Sequence, residues 1–276
     1  MEHTRFPLTI VGHTGRMGQM LHTRLSAAGY AVRGVDLPLE ATTLAHACAD
    51  ATVVLLCVPA AHLREVSFLV APHLRADTIL ADITSVKVQP MEDMHRAWQG
   101  PVVGTHPLFG PAPQADAELP VVLTPGVRAT QAHCALLQQM FQALGCRVFT
   151  STAALHDEAM AAIQGLNFIS SVAYFATLAH KNEYLPFLTP SFRRRQEAAR
   201  KLLTEDAELF EGLFEANPFS HDMVRQYRSF LNVAAAGDLS LLSEHARWWW
   251  EDKKSAAISP DTQSEQVPRP YGDSQT

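Results

Sequence analysis

Two stretches of this chain carry residue types and spacings suited to chemistry. The first is Gly104-Thr105-His106-Pro107-Leu108-Phe109-Gly110-Pro111, where one histidine stands between an apolar run, expected to end as a strand at Gly104, and a turn stiffened by two prolines and a glycine. An imidazole held by so stiff a backbone is a candidate acid or base near neutral pH. The second is Gly12-His13-Thr14-Gly15-Arg16-Met17-Gly18, directly after the apolar run Leu8 to Val11. Glycine lets a backbone turn tightly and approach a phosphate, and the free N–H groups of a following helix favour an anion.

The glycine spacing is Gly-x-x-Gly-x-x-Gly, so the motif alone is weak and its context carries it. Asp36 ends the next strand, where a carboxylate accepts hydrogen bonds from an adenosine ribose and repels a 2′-phosphate. This favours NAD over NADP, against Arg16, whose guanidinium would suit the phosphate. Gly12, Gly15, Arg16, Met17, Gly18 and Asp36 are therefore the expected cofactor contacts. Three further places complete the chemistry: Asp82-Ile83-Thr84-Ser85-Val86-Lys87, His156-Asp157, and Pro190-Ser191-Phe192-Arg193.

The elements that must position these groups are legible as alternation. Short apolar runs at Leu8 to Val11, Ala31 to Val35, Thr52 to Val58, Thr78 to Ala81, Val102 to Gly104, Val121 to Leu123 and Arg147 to Phe149 alternate with amphipathic stretches. Runs such as Val53-Val54-Leu55-Leu56-Cys57-Val58 indicate strands buried on both faces. The expected fold is α/β: an N-terminal Rossmann-type doubly wound parallel sheet over residues 1–151, followed by an all-helical domain over 152–254. Residues 255–276, rich in Ser, Pro, Gln and Asp, are expected to be a disordered tail.

From Ala153 to about Lys181 the pattern predicts one long helix, apolar almost all round, which in a small helical domain calls for burial against a second subunit. A homodimer is expected. Helices are further expected at Phe192 to Phe214, Ser220 to Ala236 and Leu239 to about Lys253, with Trp248-Trp249-Trp250 packing at the dimer.

Composition limits the alternatives. A formal charge of −6 and a pI near 6.1 argue against nucleic acid. No uninterrupted apolar run approaches the roughly 20 residues of a membrane-spanning helix, and the N-terminus lacks a secretory pattern, so a cytoplasmic protein off the membrane is expected. Cys48, Cys57, Cys134 and Cys146 show no metal-ligand spacing, and no metal site is expected.

Taken together, the glycine turn, Thr84-Ser85-Val86-Lys87, His106-Pro107-Leu108-Phe109-Gly110-Pro111, His156-Asp157 with Met160 and Gln164, and Pro190 with Phe192-Arg193 resemble the prephenate dehydrogenase family of tyrosine biosynthesis. The likeness runs from about Leu8 to Trp250. It implies NAD-dependent oxidative decarboxylation of prephenate to 4-hydroxyphenylpyruvate, with His106 accepting a hydrogen bond or proton from the ring hydroxyl. Ser85 would act beside it, although a serine at such a turn also suits a helix cap. The substrate carries two carboxylates, and the resemblance assigns Arg193 as their anchor. Lys87 would orient the site or neutralise charge, and His156 would lie near the substrate's side-chain end; Asp157 reads as structural. Two other readings share these motifs: a dehydrogenase of arogenate or 4-amino-4-deoxyprephenate, and a non-catalytic NAD-binding regulator on the same fold.

Overall fold

The computed structural model describes residues 5–114 and 116–251. Seven strands form one sheet: β1 (Leu8–Val11), β2 (Val32–Val35), β3 (Val53–Leu56), β4 (Ile79–Asp82), β5 (Val102–Pro107), β6 (Pro120–Pro125) and β7 (Arg147–Thr150), in the order β2-β1-β3-β4-β5-β6-β7. The first five are parallel. β6 pairs antiparallel with β5, and β7 runs parallel to β6. The expected Rossmann-type sheet is thus present, with a reversed pair at one edge that alternation of apolar runs does not reveal.

Side-chain alternation sorts the sheet's two faces into separate cores. Leu8, Ile10, Leu55 and Val103 pack toward α1 (Arg16–Ala27) and α5 (Gln131–Gln142), whose Leu21, Leu25, Leu137 and Phe141 meet them. Val11, Val54, Leu56 and Leu80 pack on the opposite face. There they meet α2 (Ala41–Cys48), α3 (Ala60–Val70) and α4 (Val88–Ala97) through Leu44, Leu63, Val66 and Met94. Each such fully buried aliphatic side chain stabilises the fold by roughly 1.5–3 kcal/mol.

β5 is longer than the apolar pattern suggests. Its pairing with β4 ends at Asp82 opposite Gly104, but its other edge continues along β6 to Pro107 opposite Val121. His106, expected just beyond the strand, therefore lies inside it, opposite Val122.

Only helices follow β7 among the described residues: α6 (Ala153–Met160), a π-helical turn at Ala161–Gly165, α7 (Leu166–Thr177), α8 (Pro190–Thr204), α9 (Ala207–Ala216), α10 (Ser220–Ala235) and α11 (Leu239–Arg247). α6 through α7 form the expected long helix, 25 residues over Ala153–Thr177, with only 17% of its most apolar window buried in the chain. By length and composition alone it could cross a membrane. Gln164, Asn167 and Ser170 interrupt the stretch, so no continuous apolar run marks it in the sequence.

The single helix expected from Phe192 to Phe214 is two. The Lys201 carbonyl accepts the N–H groups of both Glu205 and Asp206, closing α8, and Asp206 opens α9. The Asp206 carboxylate lies 3.3 Å from Arg16 and 3.7 Å from Lys201, charges that hold the break in place.

The chain divides into two compact units, Met1–Tyr227 and Arg228–Thr276. In the second, Trp248 and Trp249 meet edge to face, and all three tryptophans are more than half exposed. The tail expected over 255–276 lies outside the described residues.

Candidate active site

The chain turns one way from β1 to β2 and the other way to β3, so a crevice opens beyond the carboxyl ends of β1 and β3, where ligands of such sheets bind. A cavity of about 480 Å³ occupies it, lined by Gly12, Thr14, Gly15, Asp36, Val58 and Pro59 among others. Gly12 has φ +85°, and a Cβ there would come 2.4 Å from the Cys57 carbonyl oxygen. A Cβ on Gly18 would fall 2.1 Å from the Gly12 oxygen. Both positions therefore require glycine, the first for its turn and the second for the close approach of α1 to the loop. Gly15 is the N-cap residue of α1, which leaves that helix's first N–H groups facing the crevice.

Asp36 is oriented before any ligand arrives. Its Oδ2 accepts from the Thr14 N–H (3.0 Å) and hydroxyl (2.5 Å), and its Oδ1 from the Leu37 N–H (2.9 Å). These bonds, the Thr14 hydroxyl first, hold its carboxyl below the usual range. A carboxylate offers about four acceptor positions, so room remains for a ribose hydroxyl. Arg16 is mostly exposed and pairs with Asp206. Thr14 is a member of the site that the glycine motif alone does not reveal; a threonine two residues after the first glycine of the turn is its signal.

The second cluster lies at β4 and β5. Lys87 is fully buried, and its Nζ donates to Asp82 Oδ2 at 2.5 Å. The same oxygen accepts from the Thr84 N–H at 2.9 Å and from the Thr84 hydroxyl. Lys87, expected among the substrate contacts, instead has its ammonium committed inside the protein. Burial lowers its affinity for the proton, and Asp82 works against that.

His106 is 3% exposed. Burial drives its imidazole well below its ordinary pKa, with the charges of Lys87 and then His156 acting in the same direction. It is held as a neutral base, the form that accepts a proton. Its Nδ1 lies 2.9 Å from His156 Nε2, and His156 Nδ1 lies 2.7 Å from Asp157 Oδ1. Both ring nitrogens of His156 thus have protein partners, leaving neither for the substrate contact expected of it. Asp157 does not cap its own helix, which Thr152 caps; its two oxygens accept the N–H groups of Lys87 (2.7 Å) and Val88 (2.8 Å), closing the N-terminus of α4 from outside. That helix has no side-chain cap of its own.

Ser85 is half-buried and lines a narrow space with Val86, Met160, Gln164, Phe210 and Asn217. The cap position of α4 belongs to Lys87, so Ser85 does not cap it. Arg193 stands exposed on the first turn of α8, with no hydrogen bond or ion pair to His106 among the described residues. Its neighbour Arg195 stacks on the Tyr174 ring, 3.8 Å from the centroid.

Comparison with known proteins agrees with this architecture. Residues 25–150 match the model of the prephenate dehydrogenase nucleotide-binding domain. The chain is 33% identical over 237 residues to the T-protein of Enterobacter agglomerans, a match that covers 83% of this chain and 62% of the relative. The chain thus spans less than two thirds of that relative's length. Among solved structures, Synechocystis arogenate dehydrogenase superposes with a TM-score of 0.72 at 22% identity, covering 90% of this chain and 98% of that one. Prephenate dehydrogenase from Aquifex aeolicus, in complex with hydroxyphenyl propionate and NAD+, gives 0.70 at 18%, covering 90% and 96%. With a nucleotide crevice at the switch point of its sheet and a buried histidine on β5, residues 25–150 of the chain form a nucleotide-binding domain of the prephenate dehydrogenase family.

Proposed function

We propose that the protein catalyses NAD-dependent oxidative decarboxylation of prephenate to 4-hydroxyphenylpyruvate. The observation that carries this reading is His106, buried, kept neutral and backed by a second imidazole. Gly12 and Gly18 allow the backbone to cradle a pyrophosphate, and Asp36, fixed by Thr14, suits an unphosphorylated ribose. With Arg16 drawn toward Asp206, its guanidinium is not held for a 2′-phosphate. Bound in the crevice against Gly12, Gly15 and Asp36, NAD would supply the acceptor for the hydride that C4 of the ring gives up. His106 draws on the 4-hydroxyl proton as that hydride leaves, and the ring carboxylate departs as carbon dioxide while its bonding pair aromatises the ring. The proton returns to the phenolic oxygen, so none is gained or lost overall. Ser85, beside the Met160 and Gln164 face, is assigned to the same hydroxyl.

The test is to supply purified protein with prephenate or arogenate and with NAD or NADP, following the absorbance of the reduced nicotinamide. Fastest turnover with prephenate and NAD is expected; NAD binding with no reduction on either substrate would leave a regulator on the same fold. Arogenate is the second reading, favoured by the likeness to the Synechocystis enzyme; its reacting carbons are the same, so His106 does not discriminate.

The substrate's two carboxylates require cations. Lys87 is spent on Asp82, whereas Arg193 has no carboxylate partner among the described residues, and a guanidinium binds a carboxylate through two parallel hydrogen bonds. Arg193→Gln is therefore expected to raise the Michaelis constant for prephenate about 10- to 100-fold, as loss of a charged hydrogen bond does, with kcat little changed. An unchanged constant removes the residue from the site.

The helices that follow β7, expected as one domain over 152–254, are assigned to substrate binding and dimerisation. Leu155, Ile163 and Val172 on α6 to α7 are 59, 62 and 38% exposed, and a second copy of the chain in the cytoplasm is the proposed cover. A membrane fits less well, because the same helix carries His156 and Asp157 into the interior of the fold. Sedimentation should give twice the 30.3 kDa chain mass, and Ile163→Lys with Val172→Lys should halve it. A wild-type monomer at micromolar concentration would refute the assignment.

A further inference from the structure

A histidine can serve as a base at one ring nitrogen only if the other carries the proton, and something must decide which. Here the decision can be traced through three buried residues. Asp157 is surrounded by donors: the Lys87 and Val88 N–H groups on its two oxygens and the Asn217 amide on its main-chain carbonyl, at 2.7, 2.8 and 2.7 Å. A carboxylate so placed only accepts. His156 must then present Nδ1–H to it across 2.7 Å, which leaves the neutral ring's Nε2 as a lone pair. That lone pair faces His106 Nδ1 at 2.9 Å, so His106 carries its own proton on Nδ1 and is left with Nε2 as a free acceptor.

We propose that Asp157 and His156 are positioning residues that lock His106 in the tautomer whose Nε2 accepts a proton, and that the two imidazoles pass that proton inward. As the substrate O–H bond breaks, an N–H bond forms at His106 Nε2. The Nδ1–H bond of His106 breaks in turn, and one forms at His156 Nε2. The positive charge comes to rest on His156, whose Nδ1 lies 2.7 Å from the Asp157 carboxylate, a contact His106 lacks. Reversal returns the proton to the phenolic oxygen, so atoms and charge balance without a further reactant.

The same carboxylate caps α4, the helix that follows Ser85 and Lys87. One residue of α6 therefore sets both the base's tautomer and the start of the helix beside it. Neither His156 nor Asp157 needs to touch the substrate.

This inference rests on the proposed function only for the identity of the proton donor. The tautomer is read without substrate, from nitrogen-15 chemical shifts of histidine-labelled full-length protein above pH 7. His106 Nε2 is expected in the unprotonated range and Nδ1 in the protonated range; the reverse assignment in the wild-type protein overturns the proposal, and no variant has to fold for that result to count. In Asp157→Asn, whose amide can offer an N–H to His156, the His106 signal should become a mixture of tautomers. In Asp157→Asn and His156→Gln, kcat with prephenate should fall on the order of 100-fold, within the range of a positioned base, with the Michaelis constant within about twofold. A lowered melting temperature with kcat per folded molecule unchanged would show a purely structural role. Absence of turnover in the wild type, with the expected tautomer present, would count against prephenate as substrate and not against the relay.

Discussion

His106→Asn is expected to lower turnover by about 10²- to 10⁴-fold, the contribution of a positioned general base, while leaving nucleotide affinity within about twofold. Asparagine fits the site and can still donate to His156 Nε2, but it has no nitrogen that takes up a proton near neutral pH. The nucleotide crevice is built at the ends of β1, β2 and β3 from Gly12, Thr14 and Asp36, and none of these depends on β5. Steady-state rates and calorimetric binding of NAD check the two halves separately. Turnover within a few-fold of the wild type would remove His106 from the chemistry.

The same substitution carries a stability signature whose sign is fixed. The folded state holds His106 well below its ordinary pKa, whereas the unfolded chain protonates it near 6.5. Below that value the unfolded state binds the extra proton, so the wild type should lose stability as pH falls from about 6.5 toward the folded-state pKa. Above it the ring is neutral in both states and contributes nothing. The asparagine of the variant cannot titrate, so the melting temperature of the variant minus that of the wild type should rise as the pH is lowered through about 6.5.

Much of the fold is readable in the sequence because a buried parallel sheet writes itself as apolar runs: β1 is visible to the residue, and β3 is apparent in Val53-Val54-Leu55-Leu56. The reversal of β6 is not, since strand direction depends on which edge a returning loop reaches. The break at Glu205 is hidden because it depends on Asp206 meeting Arg16, a partner 190 positions away. At the site, spacing picks out His106, Ser85, His156 and Lys87 but misjudges what the last two touch. Their partners, Asp82 for Lys87 and Asp157 with His106 for His156, sit on adjacent elements only once the sheet and α6 are assembled. Asp157 reads as structural because helix starts favour acids for their own sake; its service to another helix is invisible in one dimension.

Lys87→Met should destabilise the protein by about 3–5 kcal/mol, as removal of one partner from a buried ion pair does. The loss is set by what remains. Asp82 is fully buried, and its Oδ1 has no hydrogen-bond partner among the described residues even with Lys87 in place. Taking away the ammonium leaves a carboxylate with only Thr84 to answer it. Asp82→Asn with Lys87→Met should recover most of that stability, because the amide oxygen can still accept from Thr84 and no uncompensated charge is left. Chemical denaturation of the wild type, both single variants and the double variant closes the cycle; equal losses in Lys87→Met and the double variant would deny the pair its role. The double variant also separates packing from electrostatics at the base. With the positive charge gone, His106 loses one of the causes that depress its pKa but keeps burial, the larger one, so the acid limb of kcat/KM should move part of the way toward higher pH. A limb that stays put would mean that burial alone keeps His106 neutral, and that the lysine serves only to balance Asp82.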